Sequence, residues 1–71
     1  MKTAVEEALA TIEDLLSDLD DVPEAGEDFA DSVREKVESI RDWIEEHDTV
    51  TDKMTTAIEN MQTGVAKWLH R

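Results

Sequence analysis

His47 is where this chain comes nearest to a chemical site: Glu45, Glu46 and Asp48 surround it, a donor set of nitrogen and oxygen that could hold a divalent cation. The spacing argues against it. Carboxylate metal bundles place a glutamate three residues before the histidine, so that both project from one helix face, and here that position holds Ile44 before His47 and Lys67 before His70. A histidine that ends a helix is favoured there by the negative end of the dipole, with no metal needed. Asp18, Asp20 and Asp21 open like a calcium loop, but Pro23 stands where such a loop turns on glycine, and no complete twelve-residue ligand pattern follows. Ser17, Ser32 and Ser39 fall in the middle of helical stretches with no base within reach. Neither Gly26 nor Gly64 belongs to a phosphate-cradling loop. Adjacent carboxylates become an acid–base pair only where a pocket raises one pKa, and so short a chain has little interior for a pocket. The expectation is a protein that is not an enzyme, with no metal and no cofactor.

What the acidic residues do have is distribution. There are 19 acids against 7 bases, a net charge of −12, and from Thr3 to Val33 eleven carboxylates occur without one lysine or arginine. From Thr51 onward, Asp52 and Glu59 stand against Lys53, Lys67 and Arg71, so the last third is slightly positive. Such a field repels phosphates, which excludes direct nucleic-acid binding and favours a partner protein with a basic surface. Cysteine is absent, which suits a reducing compartment. No apolar run approaches the roughly 20 residues of a membrane span, and the N-terminus lacks signal-peptide order. A cytoplasmic protein with no membrane contact is expected.

The elements that position these acids follow from a repeat. Val5-Glu6-Glu7-Ala8-Leu9, Ile12-Glu13-Asp14-Leu15-Leu16 and Leu19-Asp20-Asp21-Val22-Pro23 recur seven apart, each reading apolar, acid, acid, apolar, apolar or proline. On a helix this heptad gives an apolar seam flanked by a row of carboxylates. Thr3 with Glu6 has capping-box spacing, so the first helix should start near Ala4, carry Val5, Leu9, Ile12, Leu16 and Leu19 with Ala8 and Leu15 beside them, and end near Asp20. Val22 to Glu27, with Pro23 and Gly26, reads as a loop in which Pro23 can open a short first turn. A second stripe, Phe29, Val33, Val37, Ile40 and Ile44 with Trp43 beside it, ends near His47. Thr49 or Thr51 then caps a third helix with Val50 as its staple, along the stripe Met54, Ile58, Met61, Val65 and Trp68, and with Ala57 and Gly64 on a small-residue margin.

Three stripes of this length joined by short loops predict an all-α, up-down-up three-helix bundle with helices at about 4–20, 27–47 and 51–69, forming one domain over residues 1–71. An antiparallel hairpin of the first two helices would set Leu16 against Val33, Ile12 against Val37 and Leu9 against Ile40. That register predicts two ion pairs, Arg34 with Glu13 and Arg41 with Glu6.

Phe29-x-x-Ser32-Val33, Ser39-Ile40-x-x-Trp43-Ile44-Glu45-Glu46, Val50-Thr51-x-Lys53, Ala57-Ile58-x-Asn60-Met61 and Gly64-Val65-x-Lys67-Trp68 together resemble a small helical module that recurs in phage-encoded proteins. The resemblance covers residues 29–68, and Met54 stands where such modules commonly have glutamine. It implies a viral or mobile-element setting and a role as adaptor or inhibitor, and it brings no catalytic residue.

Partner-binding candidates fall in two groups. Glu7, Asp14, Asp18 and Asp21 form the acidic row of the first helix, and Gly64 and Trp68 mark a contact surface on the third, where tryptophan is a common interface anchor. The leading expectation is a small acidic protein-binding module. Carboxylates repeating in steps of roughly 5 to 10 Å also approximate a phosphate row, so the alternative is a nucleic-acid mimic of the anti-CRISPR or anti-restriction type. A self-assembling helical protein, as a homodimer through leftover apolar surface, is the third. The competing structural account takes the acidic row as a solubilising face and both tryptophans as core.

Overall fold

The computed structural model describes residues 3–69, among which the chain forms three α-helices and no strand. They are α1 (Ala4–Asp20), α2 (Glu27–His47) and α3 (Asp52–Leu69), with one turn of 3-10 helix at Glu24–Gly26. The long axis of the molecule is 35 Å, close to the length of α2 laid out at ~1.5 Å per residue, as an up-down-up arrangement requires.

Each helix end has a local cause. Thr3 Oγ1 accepts the Glu6 amide hydrogen at 3.1 Å, and Thr51 Oγ1 accepts that of Met54 at 3.1 Å, so Thr51 rather than Thr49 caps α3. That places the helix start at Asp52, one residue later than expected. Pro23 opens the 3-10 turn, where its carbonyl accepts the Gly26 amide hydrogen at 2.8 Å. At the other end of α2 the chain turns through Asp48, whose φ of 51° lies in the left-handed region and whose amide donates to the Ile44 carbonyl at 2.7 Å.

Ile12, Leu15 and Leu19 of α1, Ala30, Val33, Val37 and Ile44 of α2, and Ile58 and Val65 of α3 are buried in one core. The apolar stripes therefore face inward as read, with two shifts of detail. Leu15 is buried where Leu16 is half-buried, and Ala30 joins the core while Phe29, Ile40, Met54, Met61 and Trp68 remain at its margin. α1 packs against both other helices, and α2 and α3 touch each other less. A helix with two neighbours needs a wider apolar arc than the two-position seam of a paired coil.

The expected ion pairs do not form. Arg34 Nη2 reaches Asp20 at 3.0 Å and Nη1 lies 3.9 Å from Asp31, in place of Glu13. Arg41 makes no ion pair with Glu6, and its Nε is buried without a hydrogen-bond partner. The physical reason is the lean of helical side chains toward the N-terminus of their own helix. On α2 that direction points back to the loop, which carries the Arg34 head group along α1 from Glu13 to Asp20.

Candidate protein-binding surface

The acidic row is built on α1 by its heptad. Glu7, Asp14 and Asp21 are exposed on one line, and Asp18 is half-buried beside it. Of the eleven carboxylates between Thr3 and Val33, ten are exposed, Asp18 being the exception. Arg34 enters this field from α2, where Asp20 and Asp31 engage it. Glu7 also borders a groove of about 280 Å3 between α1 and α3, floored by Ala8 and Ile58 and edged by Thr11, Glu59 and Gln62.

The second candidate pair lies in a different environment. A Cβ on Gly64 would stand 2.9 Å from Cζ of Phe29, so the α2 ring rests on the bare backbone of α3. Phe29 in turn lies 6.4 Å from the Trp68 ring at an interplanar angle of 32°. That indole also meets Gly26, where a Cβ would come 2.9 Å from Trp68 Cδ2 and 2.7 Å from Val22 Cγ1. Gly64 and Trp68 are thus drawn together by Phe29 and Gly26 of their own chain, in an aromatic seam closing the loop end of the bundle. Gly26 and Phe29 belong with Trp68, yet in sequence Gly26 reads as a turn glycine and Phe29 as an ordinary stripe residue.

His47 ends α2 with its ring stacked on Trp43, centroids 4.2 Å apart at 17°, and its Nδ1 lies 2.9 Å from the Trp43 carbonyl oxygen. A carbonyl only accepts, so Nδ1 carries the proton and donates it there. Among the described residues no three histidine, aspartate or glutamate side chains converge as metal ligands. His70, the second imidazole, lies outside the described residues. Ser17, Ser32 and Ser39 are exposed on their helices. Among the described residues no helix is long and apolar enough to cross a membrane. No protein-family model matches the chain, and no curated protein or solved structure shows significant similarity to it.

Proposed function

We propose that this chain is a small acidic, non-enzymatic protein-binding module of the cytoplasm, an adaptor or inhibitor that docks its α1 edge against a basic protein surface. The observation that carries the reading is the exposure of ten of eleven carboxylates in a segment without lysine or arginine. A dense run of charge of one sign stores repulsion that a cationic partner relieves, and it steers that partner at low salt. The likeness of residues 29–68 to a phage-borne helical module supports a viral or mobile-element setting. The test is capture of partners at low and high salt with the wild-type chain and with Glu7, Asp14, Asp18 and Asp21 neutralised together. Binding should fall steeply with salt and disappear in the neutralised variant. A partner retained by that variant would remove the acidic edge from the interface.

A second reading, a mimic of a nucleic-acid backbone, is supported by the straight line of Glu7, Asp14 and Asp21. Their steps of seven residues, ~10.5 Å along a helix, with Asp18 between, approach the scale of a phosphate row. A mimic competes with DNA or RNA for one basic channel, whereas an adaptor binds alongside it. Displacement of labelled nucleic acid from the captured partner separates the two.

A further inference from the structure

The geometry points to the open face between α2 and α3 as the docking site of a second copy of this chain, related by a two-fold axis parallel to the helices. This face is distinct from the acidic edge of α1. Because α1 packs closely on both other helices while α2 and α3 touch each other less, a groove of about 680 Å3 remains between them, with Ile40, Ala57 and Met61 half-buried along it and the exposed Glu35 and Lys36 of α2 on its lining opposite Asn60 of α3.

The edges of that face carry opposite charges in the same spacing. On α2, Asp28, Glu35 and Asp42 follow one another at seven residues, and on α3 Lys53, Asn60 and Lys67 do the same, all six exposed. Residues 32–40 share the groove with 57–61 in antiparallel helices, so Asp28 lies at the level of Lys67, Glu35 at that of Asn60 and Asp42 at that of Lys53. Within one chain the two rows flank the face on opposite sides, and no ion pair joins them. A two-fold axis along the helices lays α2 of one copy over α3 of the other. Asp42 then meets Lys53 of the second copy and Asp28 meets its Lys67, and each pair occurs twice because an isologous contact repeats itself.

Charge also selects the second copy as occupant. Two chains of net charge −12 repel wherever α1 takes part, since Ala4–Asp20 contains six acids and no base. On the α2–α3 face the outer rows present acid to base at the levels of Asp42 with Lys53 and Asp28 with Lys67, Lys36 within the groove comes opposite the uncharged Asn60 level of the second copy, and the α1 edges stay outside, available to another partner.

Charge reversal with rescue tests this by sedimentation equilibrium or light scattering over a range of concentrations. The wild-type chain should show the mass of two chains. Lys53→Glu with Lys67→Glu should raise the dimer dissociation constant about tenfold or more, by placing acid against acid at both levels. Asp28→Lys with Asp42→Lys should do the same although it brings the net charge from −12 to −8, so bulk repulsion cannot explain the loss. All four changes in one chain restore the original net charge and should restore the dimer. These side chains are exposed, and far-ultraviolet circular dichroism verifies that each variant keeps its helices. A monomeric wild-type chain at high concentration, a dimer indifferent to both pairs, or reversal without rescue would overturn the proposal.

Discussion

The two ends of the bundle are closed by different physical means. At the loop end the contacts join residues far apart in sequence: Trp68 covers Gly26, and Phe29 covers Gly64. At the opposite end the hydrogen bonds among the described residues are made within four residues: Met54 donates to Thr51, Thr55 to Thr51, Asp48 to Ile44 and His47 to Trp43. The first end exists only when α3 is folded back on α2 and the turn before it, whereas the second can form as each helix forms. Damage at the loop end should therefore cost global stability, and damage at the opposite end should cost no more than a helix cap.

The largest expected effect comes from Gly26→Ala. Its φ of −103° suits alanine, so backbone strain is not the issue; the new Cβ would lie 2.7 Å from Val22 Cγ1 and 2.9 Å from the indole. Overpacking of this kind costs about 1 to 3 kcal/mol. Gly64→Ala sharpens the point, because the 2.9 Å approach to Phe29 Cζ is offset by the ~0.5 to 1 kcal/mol that alanine gains over glycine inside a helix. Urea unfolding should show Gly26→Ala clearly destabilised and Gly64→Ala nearly neutral. Equal losses would mean that the contact between the loop and α3 has no special part in closing this end.

At the opposite end the expected change is smaller and of the other sign. Asp48 holds a left-handed conformation with φ 51° and ψ 39°, which costs a side-chain-bearing residue free energy that glycine does not lose. Asp48→Gly should stabilise the chain by about 0.5 to 1 kcal/mol, a gain limited by the greater freedom of glycine in the unfolded state. A rise in thermal midpoint checks it. A fall would show that the aspartate side chain contributes something at this end beyond its backbone turn.

The bundle was legible in the sequence because helix periodicity is a local signal repeated over many turns. Thr3 and the stripe Val5, Leu9, Ile12, Leu16 and Leu19 state the first helix without reference to anything else, although it is Leu15 beside that stripe, not Leu16, that is buried. Gly26 and Asp48 were not legible in the same way. A glycine beside Pro23 looks like turn chemistry, and only the arrival of Trp68 from 42 residues away makes its missing Cβ a packing requirement. Asp48 occupies a position that glycine or asparagine usually marks, so the local code was written in a less favourable residue. The arginine register failed for a third reason. Pairing by Cα level ignores the reach and lean of long side chains, which moved Arg34 by seven residues along α1, from Glu13 to Asp20. The acidic row was visible as composition, but the packing of Trp68 and Gly64 against Gly26 and Phe29 depends on how α2 and α3 close.

The smallest effect concerns that displaced ion pair, which lies near the aromatic end without being part of its seam. Asp20 is 77% exposed and Arg34 37%, so their 3.0 Å contact is bathed by solvent. A double-mutant cycle of Arg34→Ala and Asp20→Ala should give a coupling of about 0.2 to 1 kcal/mol at low salt, and the cycle cancels whatever packing the arginine stem loses on its own. Salt then discriminates. Near 1 M the screening length falls to about 3 Å and the coupling should vanish, while the cost of Gly26→Ala, a matter of volume, should persist. If instead the coupling reached about 2 kcal/mol and ignored salt, Arg34 would be acting as a desolvated link between α1 and α2. The loop end would then be closed by charge as well as by shape.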